Sequence, residues 1–271
     1  MVERLSLFLF GRNPEFAMKL KIYLLICCCL FNVDVFAQTP KEIEADLLTS
    51  FKKIAYSRDK NDDEGISKAN NVFAEKLKYY TEKYPSTLSQ SFALLKNEHL
   101  DISTSDDGLF RIYSWDTWTG GTMHFFENVL QYQSSIKTIS ILDTSRAEVD
   151  DRPNYTKIDT FSTKKHTYYL ATFLGIGSTR DAMSGIQIFT IRDGKLDNNV
   201  RLIKTKSGMH SQLYYAYDLF SVVDMPYGKR PTIYFDAATQ TIHIPVVVDK
   251  GKVTNRYITY KFTGQYFEKV K

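Results

Sequence analysis

The chain has 271 residues, which suffices for one large domain or two modest ones. Its formal net charge is +4, and acidic and basic side chains are mixed along it without a polybasic run. Binding of nucleic acid, which requires a basic patch, is therefore not indicated. The 18 Tyr and 18 Phe favour β-structure, because aromatic side chains suit a pleated, half-buried surface, although tyrosines also form stacking platforms for sugars.

The first 37 residues have the pattern of a secretory signal. Met18–Lys21 is basic, Ile22–Phe31 is apolar, and Val35-Phe36-Ala37 suits cleavage after Ala37. The apolar segment is short for a bilayer span, and an uncleaved anchor is the alternative. Residues 1–17 precede the signal pattern and are not part of it. A translation start at Met18 would explain this extension. We predict an exported protein, periplasmic or secreted, with no transmembrane span after cleavage.

All three cysteines, Cys27–Cys29, lie inside the apolar segment. The mature chain is therefore predicted to contain no cysteine, and hence no disulfide, thiol nucleophile or cysteine-ligated metal. Lipidation is an alternative, but a lipoprotein signal needs a small residue before the modified cysteine, and Ile26 occupies that place.

Helical periodicity marks an N-terminal unit over residues 38–98. Thr39 can cap a first helix, a second is predicted at about 66–84, and Ser86 can cap a third. The charged segment Arg58–Gly65 has alternating acidic and amide side chains like a calcium loop, but its glycine and last ligand are misplaced. A helix–helix turn is the better interpretation.

From residue 99 the period changes to alternation, which predicts an antiparallel β domain over 99–271. Pro245 indicates an edge strand or a bulge. The fold class is mainly β with N-terminal helices (α+β), as a meander, a propeller-like array or a strongly twisted sheet or sandwich. The predicted strands are 109–116, 121–132, 136–142, 155–162, 166–175, 185–192, 199–205, 212–223, 231–236, 240–248, 255–262 and 265–270.

The densest stretch is Asp106–Gln133, where Gly120-Gly121 separates two aromatic runs. This pattern predicts a hairpin with a two-residue turn, in which glycine supplies the positive φ. In that register Thr117 opposes His124. Both faces of the hairpin then carry large apolar side chains, so we expect it to be covered on both sides.

Side chains near the hairpin end are the main candidates for a site, because a carboxylate, an imidazole and an indole together could bind a sugar or act as acid and base. The alternative is ordinary turn chemistry. The catalytic candidates are Asp116 and His124. The candidates for ligand binding are Arg111, Trp115, Trp118, Thr117, Arg180 and His210. Arg180 and His210 belong to a looser set with Asp181, Asp218 and Asp224. The sequence does not define the position of this set relative to the hairpin.

Most known catalytic motifs are absent from the sequence. No G-x-S-x-G, H-E-x-x-H or Walker motif occurs, and the glycine-rich Leu174–Ser178 lies between predicted strands. Ser50–Lys53 matches S-x-x-K and Lys206-Ser207-Gly208 resembles a K-[ST]-G strand, but the third motif and the helical bulk of penicillin-binding enzymes are missing. The five histidines lack metal-site spacing. We therefore predict no metal and no cofactor.

Three segments, FRIYSWDTWTGGTMHFF, IYFDAATQTIHIPVV and YKFTGQYFEK, resemble a group of uncharacterised exported bacterial proteins. The resemblance extends over most of the mature chain. It implies export and a β-rich body, and it brings no activity, ligand or catalytic residue.

The first functional hypothesis is an exported, non-enzymatic binding or interaction module of the cell envelope, whose partner is a glycan or a protein. The rival is a hydrolase of envelope polymers that uses Asp116 and His124 as acid and base. A third hypothesis, a purely structural envelope protein, predicts no cleft.

Overall fold

A computed structural model describes residues 38–143, 152–226 and 229–270. The predicted signal segment with its three cysteines, and the predicted turn at Tyr227-Gly228, lie outside these residues. No helix in the described part of the chain combines the length and the apolarity that a membrane crossing requires.

The N-terminal helices follow the predicted apolar stripes. Their bounds are Pro40–Asp59 for α1, Asp63–Lys83 for α2, Pro85–Leu88 for a 3₁₀ turn, and Ala93–Asn97 for α3. The charged segment between α1 and α2 is a helix–helix turn, in which the Asp62 carboxylate accepts a hydrogen bond from the Gly65 N–H at 2.9 Å and caps α2.

The prediction of one continuous third helix is wrong, because this segment is interrupted. Phe92 adopts a left-handed conformation with φ 48° between the 3₁₀ turn and α3. Its ring is fully buried among the helices and against Tyr113, with ring centroids 6.0 Å apart. The burial of this ring offsets the free-energy cost of the left-handed backbone conformation that separates the 3₁₀ turn from α3.

Fifteen strands in the described ranges form three sheets. Sheet 1 has the order β1-β2-β3-β4, sheet 2 the order β11-β7-β6-β5 with β8 beside β7, and sheet 3 the order β10-β9-β15-β14-β13-β12. Neighbours are antiparallel except β15 and β9. The strands are β1 Asp101–Thr104, β2 Phe110–Asp116, β3 Phe126–Gln133, β4 Thr138–Leu142, β5 Asn154–Ser162, β6 Thr167–Ile176, β7 Asp181–Arg192, β8 Lys195–Asp197, β9 Ile203–Thr205, β10 Gly208–His210, β11 Gln212–Asp218, β12 Tyr234–Asp236, β13 Thr241–Val248, β14 Lys252–Phe262 and β15 Phe267–Lys269.

The sheets pack face to face as a sandwich, and the helices cover sheet 1. Tyr113 and Trp115 of β2 pack on the helices, whereas Phe110 and Ile112 of the same strand pack on sheet 2. The other face of sheet 2 packs on sheet 3. The predicted fold class is confirmed, and so is the expectation that the central hairpin is covered on both sides.

The alternating pattern predicts most of the long strands. The short strands β1, β8 and β10 are missed, whereas the equally short β9, β12 and β15 lie within longer predicted strands. The prediction of a bulge at Pro245 is confirmed by a register shift between Pro245 and Val247 in the β13–β14 ladder.

The predicted register of the central hairpin is wrong by one residue. Asp116 pairs with Phe126, whereas the two-residue turn at Gly120-Gly121 required Thr117 to pair with His124. The slip exchanges which side chains share a face.

A hydrogen bond between a side chain and the backbone at the end of β2 explains the error in the predicted register. The Asp116 carboxylate accepts a hydrogen bond from the Trp118 N–H at 2.8 Å, which turns the chain out of the strand early. Trp118 itself then takes the positive φ, 57°. Gly120 serves instead to allow a close approach, because a Cβ at that position would lie 2.2 Å from the Met123 carbonyl oxygen.

Candidate functional site

The hairpin end brings the two predicted catalytic residues together. Nδ1 of His124 lies 2.5 Å from Oδ2 of Asp116, and the Trp118 ring centroid lies 6.0 Å from that of His124. The backbone N–H of His124 donates to the Ile176 carbonyl at 3.0 Å, which ties the hairpin loop to sheet 2. The carboxylate and the imidazole therefore lie within hydrogen-bonding distance of each other.

The space beside this pair is small. The hairpin cleft, formed by α1, Glu98, His99, Asp116 and Trp118, measures about 170 Å³. Ligand sites usually measure about 300–1,000 Å³. The Arg58 guanidinium lies 4.4 Å from the Trp118 ring centroid, so the protein itself occupies a face of the indole.

Two non-glycine residues that line the hairpin cleft adopt strained backbone conformations. The φ angles are 57° at Trp118 and 69° at His99. Positive φ at a bulky aromatic residue is an outlier, and such strain is concentrated at functional and tightly constrained sites. Here the local cause is visible, because the Asp116 carboxylate holds the Trp118 N–H.

Trp115 and Thr117 anchor the hairpin rather than face a ligand. The Trp115 indole is 1% exposed, and its Nε1 donates to Oδ1 of Asn70 at 2.9 Å. Nδ2 of Asn70 donates to the Thr117 carbonyl at 2.8 Å. Thr117 is also buried, and its hydroxyl donates to the Phe125 carbonyl at 2.9 Å. One buried amide of α2 therefore fixes both residues.

Arg111 lies away from the hairpin end and inside the protein. It is 5% exposed, and its guanidinium donates to the carbonyls of Thr87 and Gln90 and to the hydroxyl of Thr104 at 2.6–2.7 Å. Its site is five residues before Asp116 on β2. The structure therefore does not bring Arg111 together with the Asp116–His124 pair.

The members of the second predicted set lie at opposite ends of β11. At one end, Nη2 of the exposed Arg180 contacts Oδ2 of Asp218 at 2.5 Å. Arg180 follows Ile176, the last residue of β6, by four positions. This ion pair raises the pKa of the guanidinium and lowers the pKa of the carboxyl. Beyond the other end of β11, His210 contacts the Ser207 hydroxyl at 2.9 Å. Arg180 and His210 therefore do not share one site.

A larger cavity, which we call the tyrosine cavity, lies between sheet 2 and the chain that follows β11. Its volume is about 460 Å³, within the usual range for small-ligand sites. Its wall is formed by Thr156, Lys157, Thr172, Phe173, Leu174, Ser184, Tyr215, Tyr217, Val222, Arg230, Pro231, Thr232, Ile233 and Tyr234.

The tyrosines of this cavity are held by their neighbours. The rings of Tyr215 and Tyr217, at alternate positions of β11, have centroids 5.5 Å apart. Tyr234 stacks on His243 at 4.6 Å and 11°, and Tyr257 meets Tyr234 edge-on at 5.6 Å. Burial raises the pKa of Tyr215, so its hydroxyl is a protonated donor at physiological pH.

Charge at the cavity is basic. Nζ of Lys157 contacts Oδ1 of Asp159 at 2.7 Å, and burial raises the pKa of that carboxyl while Lys157 opposes the shift. Arg230 donates to the carbonyls of Met225 and Val223 and so braces the chain that closes the cavity. Among the described residues of the wall there is no carboxylate.

The sequence signal for this cavity was a pair of tyrosines at alternate positions, which share one face of a strand. Composition favours β propensity for any single tyrosine and does not distinguish this pair from the others. Within the described ranges, the structure contains no cluster of three or more His, Cys, Asp or Glu side chains arranged for a metal ion. No family model, no curated protein and no solved structure matches this chain.

Proposed function

We propose that the protein is an exported, β-rich binding module of the cell envelope and that its ligand is a glycan bound in the tyrosine cavity. The observation that carries the proposal is the cavity of about 460 Å³, in which tyrosine rings and hydroxyl groups share one wall. Ligand sites combine apolar and aromatic surface with a few placed polar groups, and the cavity has this composition.

The tyrosine cavity supports binding better than the hairpin end. The hairpin cleft has about 170 Å³, and the Arg58 guanidinium lies over the Trp118 ring. Sugar stacking needs an accessible aromatic face. Arg58 covers one face of Trp118, so that face is not open for stacking although the residue is 43% exposed.

The signal pattern of residues 18–37 supports export. Cleavage after Ala37 gives a mature chain that begins at Gln38. We expect N-terminal sequencing of the protein from the extracytoplasmic fraction to yield Gln-Thr-Pro. Recovery of the protein only in the cytoplasm, with Met1 or Met18 retained, would contradict export.

The binding site is tested by replacing one tyrosine. We expect Tyr217→Leu to weaken glycan binding by about 1 kcal/mol, or about fivefold, because the aromatic contact is lost while apolar volume is kept. Calorimetric titration with envelope oligosaccharides measures the change. Tyr214→Leu is the matched control, because Tyr214 lies on β11 with its side chain on the opposite face and is 56% exposed. Equal affinities for wild type and Tyr217→Leu would contradict the assignment.

The rival function is hydrolysis of an envelope polymer. The observation that favours it is the contact between Asp116 and His124, which suits acid–base catalysis. Wild-type protein and Asp116→Asn are incubated with the oligosaccharides used for titration. Product release that is abolished by Asp116→Asn would establish the hydrolase, whereas unchanged oligosaccharide supports the binding module.

A further inference from the structure

Strand β11 is an end strand of sheet 2, and its neighbour in the sheet is β7. In an antiparallel ladder, alternate residues direct their backbone N–H and C=O groups to the neighbour, and the residues between them direct theirs outward. The Leu219 N–H donates to the Arg180 carbonyl at 2.6 Å, and the Ile188 N–H donates to the Ser211 carbonyl at 2.9 Å. The odd-numbered residues of β11 therefore bond β7, and the even-numbered residues direct their backbone groups away from the sheet.

The outward edge of β11 is open at two residues. Tyr214 and Ala216 are exposed, and their backbone groups have no hydrogen-bond partner in the part of the chain that the structure describes. The open edge ends at Asp218, because Gly251 comes so close that a Cβ at this glycine would lie 2.7 Å from the Asp218 backbone nitrogen. Free backbone donors and acceptors along an extended strand are a template for the addition of another strand.

The other edge strands of the described sheets have features that oppose pairing. Natural edges are protected by short length, lysine, a bulge or a covering element. Strands β1, β8, β10 and β12 have three or four residues, and β4 lies against helix α2. Strand β5 contains Lys157 and a register shift between Tyr155 and Lys157. Strand β11 has seven residues, and before Asp218 it contains no charged residue, no proline and no register shift.

A second copy of β11 fits this edge. When two copies run antiparallel about a two-fold axis beside Tyr215, Tyr214 pairs with the partner's Ala216, and Ala216 pairs with the partner's Tyr214. This register bonds the outward N–H and C=O groups of both residues in both copies, because a two-fold contact repeats each bond by symmetry. The Tyr214 side chain, which is 56% exposed, then lies opposite a small side chain, and neither residue of the pair is charged.

We propose that the protein forms a two-fold dimer in which β11 of each copy adds to sheet 2 of the other, so that one sheet continues through both molecules. The inference goes beyond glycan binding, because it uses the outer edge of β11 and no residue of the cavity as a contact. Opposed residues of paired strands share a face, so the two tyrosine cavities lie on the same side of the joined sheet. The paired segment is short, so the dimer is weak and its population depends on concentration.

Cysteine crosslinking tests both the contact and its register. Opposed residues of a hydrogen-bonded pair have Cα atoms about 5.5 Å apart, which suits a disulfide, whereas diagonal neighbours about 7–8 Å apart are too distant. We therefore expect Tyr214→Cys protein mixed with Ala216→Cys protein to form a disulfide-linked dimer on mild oxidation. Either variant alone should stay uncrosslinked at that position, because each residue lies diagonal to its own copy. Peptide mapping locates the disulfide and separates it from any formed by Cys27–Cys29.

Sedimentation equilibrium of the protein, purified in the form the cell produces, measures the association itself. Tyr214→Lys places at the edge the charge by which natural edges stay unpaired, so we expect the dissociation constant of the dimer to rise about tenfold. Tyr56→Lys is the matched control, because Tyr56 is a 66% exposed tyrosine on α1, and it should leave the constant unchanged. Both substitutions lie at the surface, so both melting temperatures should stay close to that of wild type.

The outcomes decide whether the edge of β11 is a contact between copies. A dimer that is weakened by Tyr214→Lys but not by Tyr56→Lys, with a disulfide between positions 214 and 216, supports the inference. A protein that stays monomeric in both experiments overturns it, and so does a dimer that Tyr214→Lys leaves intact. Crosslinking of Tyr214→Cys to a different protein of the envelope, without a disulfide between copies, overturns the second copy as the occupant of the edge.

Discussion

Replacement of Asn70 by Leu is expected to destabilise the protein by about 2–4 kcal/mol. Asn70 is 3% exposed, accepts a hydrogen bond from the Trp115 indole and donates one to the Thr117 carbonyl. Leucine has similar volume but leaves both buried groups unpaired, and each unpaired group costs about 1–3 kcal/mol. Urea unfolding, followed by tryptophan fluorescence, gives the change in the midpoint.

The neighbouring residue provides the control. Asn71 lies on the same helix and is exposed, so Asn71→Leu should change the free energy of unfolding by no more than about 0.5 kcal/mol. An Asn70→Leu protein as stable as Asn71→Leu would show that α2 does not fix the hairpin through this amide. The fluorescence of native Asn70→Leu should also differ from wild type, because Trp115 loses its hydrogen-bond acceptor.

Replacement of Arg111 by Met is expected to cost a similar amount, about 2–4 kcal/mol. The guanidinium joins β2 to the chain before α3 through the Thr87 and Gln90 carbonyls and bonds Thr104 of β1. Methionine keeps much of the apolar stem but supplies no donor, so buried acceptors lose their partner. Burial raises the pKa of the adjacent Tyr113 to about 12, with Arg111 opposing the shift. The neutral Tyr113 hydroxyl still contacts the Thr87 carbonyl at 3.2 Å in the absence of Arg111, whereas the Gln90 carbonyl loses the guanidinium.

Arg180→Met is the matched control for Arg111→Met. Both arginines were candidates for ligand binding on sequence grounds, but Arg180 is exposed and its ion pair with Asp218 lies at the surface. Surface ion pairs contribute little to stability, so the unfolding midpoint of Arg180→Met should stay close to that of wild type. If Arg111→Met also leaves the midpoint unchanged, the buried hydrogen bonds of Arg111 do not stabilise the fold.

Sequence periodicity predicts the elements better than their register. The apolar stripes of α1 and α2 and the alternation of the long strands reappear in the structure because each is a local property of the chain. The register of the central hairpin depended on whether Gly120-Gly121 or another residue would supply positive φ. The Asp116 carboxylate decided this by binding the Trp118 N–H, a side-chain interaction that glycine statistics do not include.

The candidate site was only partly accessible to sequence reasoning. The contact of Asp116 with His124 could be expected, because both residues lie at one hairpin end. The tyrosine cavity could not, since it depends on how sheet 2 meets the chain after β11, which joins residues far apart in sequence. Thr172 is an ordinary strand residue in the sequence, and only the packing reveals that its hydroxyl is buried without a partner among the described residues.

Glycan binding in the tyrosine cavity is tested most directly by a nitrogen–proton NMR titration of the isotope-labelled protein with its tightest-binding oligosaccharide. We expect the amide signals of Thr172, Ser184 and Tyr217 to shift in saturable fashion, while the indole N–H signal of Trp118 at the hairpin end stays in place. A saturable shift of the Trp118 indole with unmoved cavity amides would contradict binding in the tyrosine cavity and place the ligand at Asp116 and His124.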